Sequence, residues 1–322
     1  MMYVRPCLLS DLEALEQLAY DSPVGLTSLP EDRDRLIRRL QCSVESFAKE
    51  VIEPADEEYL FALIDADTDR VVGVSGILAC AGKHEPYFNF RLDKHYVFSP
   101  NLNQRHVQDR LILCADNNGK SVFSGFFIAD KFSTKTSINL LAQARILYMS
   151  SYPERFCDEV VVEFVGVTNN QAESPFWNAL GKAFFAMEYD QAEHYCGTLS
   201  KSFVGELMPP QPIYTALLSR DAQAVIGRHD KCFDDLLAAA LSEGFSNTPY
   251  VDVFDAGPCF SCKKQELKSF RSSSVDGANV GENYLICGGD GLAFRCQLID
   301  KNTGLDHVPA ANRRYLVQES LR

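Results

Sequence analysis

Tyr59-Leu60-Phe61-Ala62-Leu63-Ile64 and Val71-Val72-Gly73-Val74-Ser75-Gly76-Ile77-Leu78 are two runs of strand-forming residues, joined by the polar stretch 65–70. Runs rich in β-branched and aromatic residues on either side of a short polar turn are typical of an antiparallel β-hairpin. We therefore place a hairpin here, and the elements predicted before and after it decide the fold class.

Two helices are predicted between a first strand and this hairpin. Residues 3–6 form the strand, and Ser10 with Glu13 has the spacing of a capping box, which satisfies unpaired N–H groups at a helix start. The charged stretch that begins at Glu31 opens a second helix, which runs to about Glu50.

A further strand and a helix follow the hairpin. The strand covers 122–129, and the helix runs from about 133 to 150 because four residues recur in it at helical spacing. These residues are Ile138, Leu141, Arg145 and Tyr148. The chain order to this point is strand, helix, helix, two hairpin strands, strand and helix.

The second half of the chain has strand and helix signals of its own. Residues 159–165 predict a strand, and Ser174 followed by Pro175 is a cap and first-turn pair that opens a helix. The stretch 213–245 is predicted to be helical, and 250–254 is predicted to be a strand.

Three units are predicted in an α/β chain. Residues 1–150 and 151–260 form two halves, and 261–322 form a small β-rich appendage. The appendage is rich in Ser, Gly and Asn, with short apolar runs, and a pliable linker at 272–277 attaches it.

The charge of the chain bears on its partners. The 322 residues include 44 acidic and 31 basic side chains, for a formal net charge of -13. Such a surface repels phosphate backbones, so we expect no nucleic-acid partner, whereas small cationic substrates suit it.

The hydropathy pattern predicts a cytoplasmic protein. No apolar run approaches the ~18 residues that cross a bilayer, and the first residues lack the apolar core of a secretory signal. The eleven cysteines are scattered, so most are expected to be reduced thiols. Cys259 and Cys262 have zinc or redox spacing without a second such pair, which favours chance spacing and no metal site.

The order of elements resembles the acyltransferases of the GNAT superfamily, and several short strings narrow the resemblance. These strings lie at 25–30, 173–178, 192–197, 206–214 and 252–258. In their order and spacing they are similar to the arginine N-succinyltransferase family across nearly all of 2–260. Residues 21–25 point, within that family, to the alpha subunit of the paired arginine/ornithine succinyltransferases.

The resemblance implies a GNAT-like fold of two acyltransferase-like halves and a reaction of arginine catabolism. In that reaction a succinyl group passes from succinyl-CoA, a cosubstrate, to the α-amino group of L-arginine or possibly of L-ornithine. The amine must lose a proton before it attacks, the tetrahedral oxyanion needs an N–H donor, and the departing thiolate benefits from an acid. The family also implies a homo-oligomer or a hetero-oligomer with a beta subunit.

The predicted CoA site lies at the end of the strand 122–129. The superfamily has a Gly-rich loop there, whereas residues 126–137 contain no glycine. Ser133, Thr134 and Lys135 could offer side-chain contacts to a phosphate, and a plain Ser/Thr-capped helix start is the alternative. Phe126 occupies the position at which the family places a succinyl-CoA contact.

Two residues are the candidates for proton transfer. The family's proton donor lies in a G-x-V-H-P string, and this chain has Gly227-Arg228-His229-Asp230-Lys231, with the histidine one residue early. His229 is the candidate acid, with an exposed loop histidine as the alternative. Glu163 is a charge inside an apolar strand, which predicts the amine's base or a guanidinium contact, or else a structural pair between strands.

Arg91 is the candidate for the succinyl carboxylate. It lies in Tyr87-Phe88-Asn89-Phe90-Arg91, which is similar to a family string, and an arginine binds carboxylates through two parallel hydrogen bonds. A surface salt bridge is the alternative.

A second function is open beside the active enzyme. The missing glycines and the shifted histidine also suit a structural or regulatory alpha subunit that depends on a beta partner for activity.

Overall fold

A computed structural model gives the fold, and it describes residues 1–169, 171–198, 202–275, 283–299 and 308–318. Within these ranges thirteen strands form one sheet, in the order β13-β11-β12-β1-β2-β3-β6-β7-β10-β9-β4-β5-β8. The strands are β1 Met2–Pro6, β2 Glu58–Asp65, β3 Arg70–Leu78, β4 Asn89–Ser99, β5 Gln104–Cys114, β6 Ser121–Ile128, β7 Glu159–Glu163, β8 Ile213–Tyr214, β9 Ser246–Val251, β10 Pro258–Lys263, β11 Tyr284–Gly288, β12 Arg295–Ile299 and β13 Arg314–Val317.

The α-helices of the described residues surround this sheet. They are α1 Leu12–Asp21, α2 Arg33–Ala48, α3 Lys135–Ser151, α4 Pro175–Ala179, α5 Gly181–Phe185, α6 Tyr189–Thr198, α7 Ser202–Leu207, α8 Arg220–Val225, α9 Asp234–Glu243 and α10 Lys268–Ser272.

The hairpin predicted at 59–78 is confirmed, and it forms the centre of the sheet. β2 and β3 pair antiparallel, β1 adds to β2, and β6 adds to β3. Almost every residue of β2 is buried, because helices cover both faces of the sheet here.

Alternate residues of β2 belong to two hydrophobic cores. Phe61 and Leu63 pack with α3 and α9 on one face of the sheet. Leu60 and Ala62 pack with α1 and α2 on the other face. The two-residue period of a strand therefore joins the helices of both layers to one central element.

The helix starts follow the predictions with one correction. Ser10 is not the cap of the first helix: a 3₁₀ turn at Leu9–Asp11 precedes α1, and Asp11 holds the turn by accepting from Leu8 N at 2.8 Å. An aspartate can take this position because its carboxylate also pairs with Arg5 of β1, at 2.6 and 2.8 Å. The cap at Ser174 is as predicted, and Thr134 caps α3, which is the alternative to its predicted phosphate contact.

The sequence patterns missed the longest hairpin of the sheet. β4 and β5 pair over their whole length, and β4 also pairs with β9. Residues 104–109 of β5 are exposed and mostly polar, and β4 exposes Tyr96 and Phe98, so burial and apolar character do not alternate together as they do in a typical strand.

The prediction of one helical stretch at 213–245 is wrong in its first part. Strand β8, a 3₁₀ turn and the short helix α8 precede α9 there. Gly227 has φ of 72°, a left-handed conformation that interrupts helix and favours glycine.

The C-terminal strands extend the central sheet. β12 pairs antiparallel with β1, and β11 lies between β12 and β13. The predicted linker begins at the end of α10, and residues 276 and 277 of it lie outside the described residues. The division into three units at 150 and 260 stays a prediction.

The Arg5–Asp11 pair gives a test of how β1 is fixed to α1. Both side chains are largely buried, with 16% and 7% exposure, so Asp11→Ala leaves a buried guanidinium without its partner. We expect a loss of about 3–5 kcal/mol in the free energy of unfolding, measured by urea denaturation.

Glu16→Ala is the matched control. Its pair with Arg33 is exposed, so its loss should cost less than about 1 kcal/mol. Equal losses in the two variants would show that the Arg5–Asp11 pair does not anchor the strand.

Candidate active site

The parallel strands β6 and β7 separate soon after they meet. Residues 121–123 pair with 160–162, and beyond this point β6 continues along β3 while β7 continues along β10. The two strands therefore diverge, and a gap opens between them. Backbone groups on the inner edges of such a gap are positioned to meet an extended ligand between them.

A β-bulge lies at the point of divergence. Val74 pairs with Phe127 and Gly76 with Ser124, so β6 has one extra residue here. Gly125 takes φ of 60°, the left-handed conformation that a bulge of this kind uses.

A cavity of about 490 Å³ occupies the gap between the diverging strands. Residues 124–126 of β6 line one side. The last residue of β7, Glu163, and residues 164 and 165 that follow it line the other, while loops at 25–28 and 82–87 complete the cavity. This volume is within the roughly 300–1,000 Å³ of small-molecule sites. The cavity is therefore the candidate active site.

Glu163 lines this cavity and is held by two neutral donors. Tyr87 Oη donates to Glu163 Oε2 at 2.5 Å, and Asn89 Nδ2 donates to Oε1 at 2.5 Å. Burial and the charge of Glu163 raise the pKa of Tyr87 well above its usual value, so the phenol stays a donor.

Two further acids lie on the same cavity. Asp252 and Asp255 both line it, and Asp255 is fully enclosed. Asp255 accepts from Gly166 N and from Gly257 N, each at 2.7 Å. Burial, together with the charge of Asp252, raises the pKa of Asp255 to about 8. Asp255 therefore keeps its proton at neutral pH, and a cationic group in this part of the cavity would meet Asp252 and Glu163.

The loop at 25–28 packs closely on the diverging strands. Ser28 Oγ accepts from Gly125 N at 2.8 Å, and Arg39 donates to Ser28 O. Gly25 has φ of 103°, and a Cβ there would lie 2.4 Å from Val165 Cγ1. Only glycine therefore lets the loop approach the cavity at this point.

The predicted CoA contacts fall in two places. Phe126 lines the cavity, whereas Ser133, Thr134 and Lys135 lie outside its lining, at the start of α3. Thr134 Oγ1 accepts from Ser137 N at 3.2 Å, so this hydroxyl caps the helix. The geometry of Thr134 is that of the alternative, a capped helix start.

His229 lies next to the cavity rather than in its lining. Its ring centroid is 6.2 Å from that of Phe164, a lining residue, and its backbone bridges to Gly166 at the end of β7. Its Nε2 lies 2.8 Å from Asp234 Oδ1, and the side chain is 23% exposed.

Arg91 is outside the cavity lining and forms an ion pair. Its Nη1 donates to Asp116 Oδ2 at 2.9 Å, and the Arg91 side chain is 40% exposed. The structure thus brings Glu163 and Phe126 together at the cavity, places His229 beside it, and places Arg91 on the surface.

Cys259 and Cys262 lie on β10, three residues apart. A strand sends such residues to opposite faces, and both thiols are free and buried. No cluster of three or more His, Cys, Asp or Glu side chains suited to a metal occurs among the residues that the structure describes.

Arg145 is a cavity residue that the sequence patterns did not reveal. It lies on α3 and is 4% exposed. Its helical spacing with Ile138 and Leu141 indicated the buried face of α3, and a charge on such a face was the signal available. Tyr87 and Asp255 carried no comparable signal.

Comparisons with known proteins show the family of the chain. A family model described as "Arginine N-succinyltransferase beta subunit" matches residues 2–269. The chain belongs to the arginine N-succinyltransferase family. Arginine N-succinyltransferase subunit alpha of Pseudomonas aeruginosa is 38% identical over 315 residues, which are 96% of this chain and 92% of that one.

Other members of the arginine N-succinyltransferase family match less of the chain. Subunit beta of Pseudomonas aeruginosa is 37% identical over 84% of this chain and 79% of its own. The arginine N-succinyltransferase of Escherichia coli O1:K1 / APEC is 36% identical over 85% of this chain and 80% of its own. The resemblance to the alpha subunit is confirmed.

A solved structure confirms the acyltransferase-like α/β fold. Arginine/ornithine succinyltransferase subunit AI from Pseudomonas aeruginosa has a TM-score of 0.87, 33% identity and 98% coverage of both chains. None of the helices that the structure describes is both long and apolar enough to cross a membrane.

Asp255 gives a test of the cavity's electrostatics. In the unfolded chain an aspartate ionises near pH ~4, whereas Asp255 in the folded chain keeps its proton to about pH 8. Between these values the folded state binds the extra proton, so stability falls as pH rises. We expect Asp255→Asn to remove this contribution to the pH dependence of the free energy of unfolding, measured by urea denaturation between pH 5 and pH 8.

Asp109→Asn, at an exposed position of β5, is the control and should keep the wild-type slope. A free energy of unfolding that changes with pH equally in the wild type and in Asp255→Asn would contradict the raised pKa of Asp255.

Proposed function

We propose that this chain is an arginine N-succinyltransferase that transfers a succinyl group from succinyl-CoA to the α-amino group of L-arginine, with L-ornithine as a possible acceptor. The observation that carries the proposal is the cavity between β6 and β7, with Glu163 on one strand and Phe126 on the other. Membership of the family supplies the class of reaction.

The acyl-CoA arm lies, in this proposal, between the diverging strands. Beyond 123 and 162 neither strand pairs with the other, so their inner edges are available for an extended pantetheine chain. Phe126 contacts that chain. Ser133, Thr134 and Lys135, at the start of α3, are the proposed phosphate contacts, since a helix N-terminus favours an anion.

The amino acid binds at the acidic part of the cavity. Asp252 and Glu163 offer carboxylate oxygens to a guanidinium or an ammonium group. Glu163 is also the proposed base that takes the α-amine proton before attack on the thioester carbon. Its two donors, Tyr87 and Asn89, hold it in place and carry no charge.

His229 is the proposed acid for the departing thiolate. Its ring lies against Phe164, and Asp234 fixes its Nε2. The proton must pass from the end of β7 into the cavity, so this role requires a small movement of the ring or a water between them.

Glu163→Gln tests the proposed base. The amide keeps an acceptor for Tyr87 but cannot take a proton, so we expect kcat to fall by about 10²–10⁴-fold. Release of free thiol from succinyl-CoA on addition of arginine measures it.

Glu159→Gln is the matched control, because Glu159 lies on the same strand and pairs with Lys120 instead. A Glu163→Gln variant with wild-type kcat, or a Glu159→Gln variant with the same loss, would reject Glu163 as the base.

A structural or regulatory alpha subunit that depends on a beta partner is the second candidate. It is favoured by the position of His229 outside the cavity lining and by its contact with Asp234. The names of the Pseudomonas aeruginosa relatives, subunits alpha and beta, also describe a two-part enzyme.

Thiol release by the purified chain, with and without a beta partner, separates the two candidates. For the active enzyme we expect turnover by the chain alone and a drop of about 10²-fold or more in His229→Ala. Turnover that needs the partner and is unchanged in His229→Ala would instead support the subunit without its own acid.

A further inference from the structure

Arg145 is a buried cation without a partner among the residues that the structure describes. Its side chain makes no hydrogen bond or ion pair there, and its Nε is enclosed and unsatisfied. Burial lowers the pKa of Arg145 to about 9, so it remains charged at neutral pH. An unpaired buried charge is costly, and it persists where a ligand of opposite charge completes it.

The surroundings of Arg145 hold it at the cavity. Its guanidinium carbon lies 4.3 Å from the ring centroid of Phe123 and 5.2 Å from that of Phe126. Residues three apart on a regular strand face opposite sides, and the bulge at Gly125 brings both rings to the side of α3. Aromatic faces orient a guanidinium without neutralising its charge.

A second buried arginine, Arg155, has acceptors for its terminal nitrogens inside the protein, although its Nε, like that of Arg145, is enclosed without a partner. Arg155 donates to Ser46 O at 2.8 Å, to Lys49 O at 2.9 Å and to Tyr59 Oη at 3.3 Å. Arg155 is not part of the cavity lining, whereas Arg145 is. The two residues are similarly buried, so the missing acceptors of Arg145 belong to what the cavity binds.

We propose that Arg145 binds the free carboxylate of the succinyl group and thereby selects dicarboxylic acyl-CoA substrates. This inference rests on the proposed function and adds the specificity-determining residue to it. A carboxylate carried on a short apolar chain fits a guanidinium between two phenylalanine rings, with Leu236 beside them. Glu163 and Asp252 are left for the cationic acceptor, so the anionic acyl group and the cationic amine bind to groups of opposite charge in different parts of the cavity.

The test compares succinyl-CoA with butyryl-CoA, which has a methyl group in place of the free carboxylate. Binding is measured by isothermal titration without an amine acceptor, so no turnover is needed. We expect the wild type to bind succinyl-CoA about 10- to 100-fold more tightly, the range of a charge-assisted hydrogen-bond pair. In Arg145→Met this preference should fall to about one.

Stability separates a ligand-binding role from a structural one. Arg145→Met removes an uncompensated buried charge, so its melting temperature should be equal to or above that of the wild type. Arg155→Met is the matched control. It leaves the three acceptors of Arg155 without their donor, so its melting temperature should be lower, while it keeps the succinyl preference. The pair Arg145→Gln and Arg155→Gln gives the same comparison if a Met variant does not fold, because Gln also lacks the charge.

Equal binding of the two acyl-CoAs by the wild type would overturn the proposal, as would an Arg145→Met or Arg145→Gln variant that keeps the full preference. Loss of the preference in the Arg155 variants as well would also overturn it. A succinyl preference that depends on Arg145, with no thiol release on adding arginine or ornithine, supports this inference and rejects the proposed function. Thiol release, together with a succinyl preference that does not depend on Arg145, rejects this inference and supports the proposed function.

Discussion

The separation of β6 from β7 is the constraint on which the site depends. Two parallel strands that stayed paired along their length would leave no space between them. Here the pairing ends after 123 and 162, and the extra residue at Gly125 bends β6 away at that point. The cavity, the position of Glu163 in its lining and the contact of Phe126 with Arg145 all follow from this local change in one strand.

Charge in the cavity is divided between two kinds of group. The acids on the β7 side are held by hydrogen-bond donors, as Glu163 is by Tyr87 and Asn89. The cation on the α3 side is held by aromatic rings and has no described acceptor. Low dielectric strengthens both interactions with a bound ligand and makes both groups costly when nothing is bound. A site for an anionic acyl group and a cationic amine needs this separation.

The sequence led to part of the site for physical reasons that can be stated. Glu163 was found because a charge inside an apolar strand is costly unless it is used, and Phe126 was found through the family resemblance. Arg91 and His229 came from short strings, which do not say where a side chain points, and the structure places both outside the cavity lining. The sequence showed Arg145 only as one of four residues at helical spacing in the predicted helix 133–150. Its contacts with two aromatic rings depend on the bulge in β6, which the sequence did not predict.

The sequence by itself determined the central hairpin, the helices that precede and follow it, the α/β class and the family. These rest on residues close together in the chain: apolar runs, helical spacing, caps and turn residues. Only the tertiary structure decided the rest, namely that β4 and β5 join β9, that β12 closes on β1, and that α3 delivers a cation to the gap between β6 and β7. Such contacts join residues that are far apart in the chain, and local patterns carry no record of which distant strand or ring will lie opposite.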